Sequence, residues 1–172
     1  HSKRVSLLFG LIAKELGMGE SQIVKLRYGA FLHDIGKIGV KDDILTKAGY
    51  LTEEELFLMK QHPEMGYNIL EPINFLKESL PIVRSHHEWY NGDGYPDGLK
   101  AAEIPHEVAI FSIIDAYDAL TTDRYYRKKY SNETAFNIIT EGIGTQFMPA
   151  LTEKVLSIIK KCCETWQLGG SN

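Results

Sequence analysis

Apolar residues recur at three- and four-residue steps in several separate stretches of the chain, which is the spacing of amphipathic helices. The first stretch starts directly after His1 and includes Val5, Phe9 and Ile12. A second stretch follows Ser21, whose hydroxyl is expected to cap the first turn of a helix. The pattern therefore predicts that the chain opens with two helices.

Helical spacing continues along the rest of the chain. Thr52 and Glu55 form the sequence of a capping box at the start of a third helix, and Pro63 either begins a new helix or kinks that one. Residues 91–98 hold three glycines and one proline and are predicted to form an ordered loop. Further helices are expected at 81–88, 104–121, 132–142 and 149–167. Since alternating strand patterns are scarce, the predicted fold class is all-α, with about seven helices.

Composition limits the class of protein. A chain of 172 residues with 44% hydrophobic residues is expected to form one domain, residues 1–172, with a real core. Its net charge of −4 argues against binding long nucleic acid but permits a small anionic ligand. No apolar run approaches the length of a membrane span, about 18 residues. The only cysteines, Cys162 and Cys163, are sequence neighbours, so no disulfide framework is expected and a cytoplasmic location is predicted.

The candidate chemistry lies in five of the six histidines and in two aspartates. Imidazole and carboxylate together suit Zn, Fe, Mn or Ni, and no thiolate is placed to compete. Each histidine alone is more often a structural residue, but two doublets on separate helices suit a site for two or three ions. Because neighbouring side chains on a helix diverge by about 100°, a doublet can surround one ion or face two. The set comprises His1, His33, Asp34, His62, His86, His87 and Asp115.

Six segments of the chain form a more specific pattern. They are HDIGKIGV (33–40), ILTKAGYLTEEE (44–55), MKQHPEMGYNIL (59–70), HHEWYNGDGYPDGL (86–99), IPHEVAIFSIIDAYDALTTDRYYR (104–127) and GTQFMP (144–149). In this order they resemble successive motifs of the HD-GYP family, whereas HD-type hydrolases in general share the His-Asp pair without the GYP loop. The resemblance implies an HD-fold helical bundle that hydrolyses cyclic di-GMP to pGpG or GMP. It also implies two or three divalent metal ions, iron or manganese.

The resemblance assigns roles to individual residues. It implies that all seven residues of the set above are metal ligands, with His1 matching the ligand at the start of the first helix. Asp34 and Lys37 are the expected catalytic residues, since Lys37 matches the lysine beside the scissile phosphate. A metal-activated hydroxide is the expected nucleophile, because a bound ion lowers the pKa of water from about 16 to about 7. The expected substrate-binding residues are Lys37, Tyr95, Pro96, Arg124 and Arg127.

Three positions leave alternatives open. Lys37 shares a helical face with His33 only if the helix continues past Gly36, where a break is equally compatible. Asp118 either orients a ligating histidine or makes a polar contact between helices. Met148 stands where the family has an aspartate; if that aspartate only stabilises a helix start, its loss costs about 1 kcal/mol, and if it supports the pocket, its loss lowers the affinity or the rate.

The chain is expected to come from a longer protein, because it begins without methionine and directly before a helical pattern. An upstream sensor or receiver domain is the expected partner, and a homodimer is left open. Some family members carry a glutamate one turn before the first histidine, which would precede this chain, so the number of ions is left at two or three.

Three functions are compatible with the sequence. The first is cyclic di-GMP phosphodiesterase activity. The second is a non-catalytic signalling module that binds a cyclic dinucleotide or a partner protein. The third is a phosphohydrolase acting on another cyclic dinucleotide, such as cyclic GMP-AMP.

Overall fold

The computed structural model describes residues 1–123 and 128–169, with the backbone alone for 164–169. The described part contains nine α-helices and three short 3-10 helices, and no strand within it extends beyond an isolated bridge between Ile143 and Phe147. The α-helices are α1 (Ser2–Glu15), α2 (Glu20–Leu32), α3 (Asp42–Leu45), α4 (Glu53–Met59), α5 (His62–Leu70), α6 (Leu80–Ser85), α7 (His106–Thr121), α8 (Asn132–Glu141) and α9 (Pro149–Gly169). The 3-10 helices are Ile35–Gly39, Asn74–Ser79 and Ala101–Glu103. The prediction of an all-α fold is confirmed.

Helix α7 forms the centre of the main core. Its sequence is apolar around most of its circumference, which is typical of a buried helix, and Val108, Phe111, Ile113 and Ile114 are fully buried. Helices α1, α2, α6, α8 and α9 supply the side chains that pack around it. A polar residue on α7 is therefore held in a fixed position among several helices.

A smaller apolar cluster attaches the middle of the chain to this core. It consists of Leu70 from α5, Leu76 from the 3-10 helix that follows, and Leu80 and Val83 from α6. Leu32 at the end of α2 and Ile35 in the 3-10 helix that follows pack against the same cluster. As a result, the end of α2, helix α5 and helix α6 lie next to one another.

The structure tests four predictions about where helices begin and end. Helix α2 begins at Glu20 after Gly19, so the prediction that Ser21 caps it is wrong; Ser21 lies inside the first turn. The capping box at Thr52 is confirmed, with both of its hydrogen bonds present. Pro63 lies in the first turn of a new helix, α5, because α4 ends at Met59. Helix α6 ends at Ser85, three residues earlier than predicted.

Met148 lies directly before α9. Its side chain is buried in the main core, and its carbonyl oxygen accepts hydrogen bonds from the amides of Leu151 and Thr152. An apolar side chain therefore fills the position at the helix start, where it packs instead of capping.

Two further findings concern the whole described chain. Among the described residues, no helix has the length and apolar character needed to cross a bilayer. The thiols of Cys162 and Cys163 on α9 are free and partly buried.

Candidate active site and metal centre

The predicted metal ligands converge from five helices. His1 precedes α1, His33 and Asp34 follow α2, His62 begins α5, His86 and His87 follow α6, and Asp115 lies in α7. Both doublets lie where a helix ends rather than inside one. The chain changes direction there, so both members of a doublet can face the same cluster.

The donor atoms of these residues form three overlapping groups. Within each group the donor atoms all lie within 4.8 Å of one another. The groups are His62 with His86 and His87, His33 with Asp34 and His86, and His1 with His33 and Asp115. Because His33 and His86 each belong to two groups, all seven predicted ligands form one continuous cluster. No other histidine, cysteine, aspartate or glutamate of the described chain forms such a group.

Three buried histidines are oriented by the backbone. The Nδ1 atom of each lies within hydrogen-bonding distance of the carbonyl oxygen three residues earlier, at 2.9 Å for His33, 2.7 Å for His62 and 3.0 Å for His86. A carbonyl oxygen only accepts hydrogen bonds, so Nδ1 carries the proton in each ring. When such a ring carries no second proton, its Nε2 atom has a free lone pair, which is the form that binds a metal.

Two of these Nε2 atoms face each other. The Nε2 atoms of His62 and His86 lie 3.3 Å apart. Burial lowers the pKa of His86 well below its ordinary value, so a proton on that ring is disfavoured. A cation beside these nitrogens would be bound by the lone pairs of both rings, in place of any proton between them. The donor set on this side of the cluster fits a metal ion.

His1 closes the other side of the cluster. Its Nδ1 lies 2.7 Å from Oδ2 of Asp118, and its Nε2 lies 3.2 Å from Oδ1 of Asp115. Asp115 and Asp118 raise the pKa of His1 to about 9, so the ring is cationic at neutral pH in the absence of metal. Oδ1 of Asp115 is buried, and within the described residues it has this ion-pair contact but no hydrogen bond of good geometry. A bound cation would replace the His1 proton and satisfy this oxygen.

Asp34 lies between the two sides. Its Oδ1 is 3.3 Å from Nε2 of His62, and its Oδ2 is 3.4 Å from Nε2 of His33. Burial acts to raise the pKa of Asp34, but the contacts with His33 and His62 and the charge of Lys37 lower it below its ordinary value. An ionised carboxylate whose two oxygens face different histidines suits a ligand shared by neighbouring ions.

The apolar ring of Phe111 packs against two of the histidine rings. The ring of Phe111 lies 5.0 Å from the His33 ring and 6.2 Å from the His86 ring, measured between centroids. Burial also lowers the pKa of His87 to about 3, and the nearby His62 ring acts in the same direction. The rings of His86 and His87 therefore stay neutral at physiological pH.

Lys37 lies in a 3-10 helix rather than on the continuation of α2. Its Nζ donates a hydrogen bond of 2.6 Å to Oδ2 of Asp34. The helical face shared with His33 does not exist, because α2 ends at Leu32 and Gly36 lies in close backbone contact with α5. Of the two alternatives, the interrupted helix is the one observed, although α2 ends at Leu32, before Gly36, and Gly36 lies inside the 3-10 helix.

Asp118 fulfils both of its predicted alternatives. It contacts the Nδ1 of His1 and also accepts hydrogen bonds from Arg4, at 2.8 Å from Nε and 3.0 Å from Nη2. It therefore orients a candidate ligand and joins α1 to α7. Sequence reasoning gave Arg4 no role, although its position one turn after His1 was a usable signal.

The loop at residues 91–98 lies against the second doublet. The ring of Tyr95 stacks on the ring of His87, with centroids 4.7 Å apart and planes 22° from parallel. The Tyr95–Pro96 peptide bond is cis. Burial raises the pKa of the Tyr95 hydroxyl, so this group stays protonated. The structure thus places Tyr95 next to the cluster, while ligand binding by Tyr95 and Pro96 stays a prediction.

Glu88 fastens this loop to the end of α6. Its carboxylate accepts hydrogen bonds from the backbone amides of Asp97, at 2.7 Å, and Leu99, at 2.9 Å. Arg84 adds a bidentate ion pair with Asp97. Sequence reasoning missed Glu88 and Arg84, because their partners lie more than ten positions away or on the backbone.

Two predicted substrate-binding residues, Arg124 and Arg127, lie outside the described residues. Their contact with a ligand stays a prediction. The remaining histidine, His106, is exposed in the first turn of α7 and is not part of the cluster.

Comparisons with known proteins agree with this site. A family model described as HD domain matches residues 1–151. A cyclic di-GMP phosphodiesterase of Thermotoga maritima is 40% identical over 169 residues, which cover 97% of this chain and 46% of that protein. A 3'3'-cGAMP-specific phosphodiesterase 3 of Vibrio cholerae is 35% identical over 162 residues, covering 92% of this chain and 35% of that protein. The chain spans less than half the length of either relative.

A solved structure shares the fold. The HDG"Y"P protein from Bdellovibrio bacteriovorus superposes with a TM-score of 0.72 at 24% identity, covering 91% of this chain and 50% of that one. The match of the family model extends from His1 to the start of α9, and the Gly94-Tyr95-Pro96 loop lies directly against the histidine cluster. The chain therefore belongs to the HD domain family and, within it, to the HD-GYP group.

Proposed function

We propose that this chain is a metal-dependent phosphodiesterase domain that hydrolyses cyclic di-GMP to pGpG, GMP or both. The observation that carries the proposal is the cluster of seven imidazole and carboxylate donors, arranged as three overlapping groups. The Thermotoga maritima relative, a cyclic di-GMP phosphodiesterase, supports the choice of substrate. A module that only binds a ligand or a partner protein has no need of so many converging donors.

The proposed cofactor is a set of two or three divalent ions, iron or manganese. Imidazole and carboxylate ligands without thiolate suit both metals. The overlap between the donor groups supports more than one ion, and the group of His1, His33 and Asp115 supports a third. Such ions, when bound, supply a hydroxide nucleophile at neutral pH and neutralise charge on the phosphoryl oxygens.

Lys37 and Asp34 are the proposed catalytic residues of the chain itself. The Lys37 side chain is 39% exposed, and its ammonium lies against Asp34 at the edge of the cluster. From there it can stabilise the negative charge that grows on the phosphoryl oxygens during hydrolysis. Arg124 and Arg127 are proposed to bind the phosphates or the guanine edge, since the planar guanidinium forms paired hydrogen bonds with both.

A second candidate substrate is cyclic GMP-AMP. The Vibrio cholerae relative specific for that compound is 35% identical to this chain, close to the 40% of the cyclic di-GMP relative. Both compounds contain the phosphodiester bond on which the histidine cluster is proposed to act, so the cluster gives no reason to prefer one substrate over the other. A direct comparison of the two substrates is therefore part of the test.

The proposal is tested by metal analysis and turnover on the same preparation. The protein is purified anaerobically, its iron and manganese are counted per chain, and its products from cyclic di-GMP and cyclic GMP-AMP are separated by chromatography. We expect at least two ions per chain and release of pGpG or GMP. His33→Ala and Asp34→Ala should abolish turnover while helicity is retained. A metal-loaded protein that cleaves neither compound, or full activity in either variant, would remove the proposed function.

The context of the domain is also a proposal. An upstream sensor or receiver domain is proposed to control the activity, and the site of action is proposed to be the cytoplasm. Light scattering of the purified chain would decide whether it forms the homodimer that the sequence left open.

A further inference from the structure

One candidate ligand is held differently from the others. The rings of His1, His33, His62 and His86 each have an Nδ1 atom within hydrogen-bonding distance of an acceptor, a carboxylate for His1 and a backbone carbonyl for the rest. No hydrogen bond from the described residues reaches either ring nitrogen of His87. The His87 ring is held instead by ring contacts, with His86 at 4.2 Å and His62 at 5.1 Å on the cluster side and with Tyr95 on the loop side.

An aromatic stack takes the place of the missing hydrogen bond. The Tyr95 ring lies nearly parallel to the His87 ring, with 4.7 Å between centroids. The ammonium of Lys60 lies 5.2 Å from the centroid of the Tyr95 ring, within the range of a cation–π interaction. A flat ring packed on another restricts its rotation about the second side-chain torsion. That torsion decides where the ring nitrogens of His87 point.

The backbone fixes the Tyr95 ring in turn. The Tyr95 amide donates a hydrogen bond of 3.1 Å to the carbonyl oxygen of His87 itself. A Cβ atom at Gly94 would overlap the backbone of His87, Glu88 and Trp89, so only glycine permits this approach. The backbone segments that carry the two stacked rings are therefore in direct contact and joined by a hydrogen bond.

We propose that Tyr95 is a positioning residue that holds the His87 ring in its metal-binding orientation by stacking on it, with Lys60 packed over the Tyr95 ring. The inference rests on the proposed metal centre and gives the tyrosine of the GYP loop a role that requires no contact with substrate. The proposed role requires the ring of Tyr95 and not its hydroxyl group. Substitutions that remove one and keep the other can therefore test it.

The test compares two substitutions at one position. Tyr95→Phe keeps the stacked ring and removes only the hydroxyl, whereas Tyr95→Leu keeps an apolar side chain and removes the ring. Metal affinity is measured without substrate, by anaerobic titration of the metal-free proteins with Mn²⁺ against a competing chelator. We expect Tyr95→Leu to bind the metal of the His87 group about 10- to 100-fold more weakly, and Tyr95→Phe to match the wild type.

A matched control removes an unrelated tyrosine. Tyr50 is fully exposed, so Tyr50→Leu should leave the titration unchanged. Circular dichroism of the metal-free variants reports whether each is folded. If Tyr95→Leu does not fold, Tyr95→Phe still decides, because a role for the hydroxyl predicts a loss in that variant.

Two results would overturn the inference. One is a Tyr95→Leu protein that is folded and binds metal as tightly as the wild type. The other is an equal loss of affinity in Tyr95→Phe. A wild-type protein that binds metal but hydrolyses no cyclic dinucleotide would remove the proposed function and leave this inference standing, since the titration contains no substrate.

Discussion

At the scale of single residues, the site depends on which nitrogen of each histidine carries the proton. His33 and His86 donate through Nδ1 to carbonyl oxygens in the last turns of α2 and α6, and His62 donates to the carbonyl of Met59 at the end of α4. The last carbonyls of a helix have no partner within it. One hydrogen bond thus satisfies a carbonyl at a helix end and directs Nε2, the candidate metal-binding atom, toward the cluster.

His1 gives a prediction at this scale, because its orientation depends on Asp118. Asp118→Asn keeps the shape of the side chain but removes the charge that holds both His1 and Arg4. We expect metal affinity to fall about 10- to 100-fold, as is usual when the partner of a metal-binding histidine is changed. The measurement is chelator-buffered titration with Mn²⁺. Asp43→Asn, at an exposed aspartate on α3, is the control, and equal affinities in the two variants would contradict the prediction.

At the scale of elements, the site depends on how closely the 3-10 helix after α2 approaches α5. A Cβ atom at Gly36 would overlap the carbonyl oxygen of His62 and crowd the amide of Gly66. The two backbones are therefore in direct contact. This contact brings Asp34, next to the 3-10 helix, within reach of His62 at the start of α5.

Gly36→Ala should separate these two elements. We expect it to destabilise the metal-free fold by about 1 to 3 kcal/mol, the usual cost of overpacking, and also to weaken metal binding. Urea unfolding and metal titration measure the two effects. Gly19→Ala is the control, since nothing lies within 4 Å of a Cβ there; because Gly19 is the N-cap residue of α2, we expect this change to cost less than about 1 kcal/mol. A Gly36→Ala protein with wild-type stability would refute the close contact.

At the scale of the whole molecule, the cluster joins helices from the beginning of the chain to α7. Its donors come from α1, α2, α5, α6 and α7, or from residues directly next to them. In the unfolded chain these donors are far apart, so a metal ion binds to the native state much more tightly than to the unfolded state. Metal binding should therefore stabilise the entire fold and not only the site.

Thermal unfolding with and without Mn²⁺ checks this expectation. At a free ion concentration 100 times the dissociation constant, the native state should gain about 2.7 kcal/mol for each site. His33→Ala should lose more of this gain than His87→Ala, because His33 belongs to two donor groups and His87 to one. His106→Ala, which changes an exposed histidine outside the cluster, should keep the full gain. An equal gain in all three variants would show that the cluster does not hold the metal.

The sequence by itself determined features that depend on neighbours within one or two helical turns. Apolar periodicity predicted the helices, since burial of one face needs only the spacing of Val5, Phe9 and Ile12. The capping box at Thr52 was predictable because both of its hydrogen bonds join residues three positions apart. The identities of the candidate ligands came from a family pattern, whose order is preserved along the chain.

Only the tertiary structure decided how these residues meet. The end of α2 at Leu32 follows from the close contact of Gly36 with α5, and the link from Arg4 to Asp118 joins residues 114 positions apart. Likewise, the stack of Tyr95 on His87 depends on a loop that folds back onto the end of α6. Local sequence fixes the conformation of a turn, whereas the distances between donors are set by the packing of entire helices around α7. For that reason the sequence identifies the candidate ligands, and the fold brings their donor atoms together.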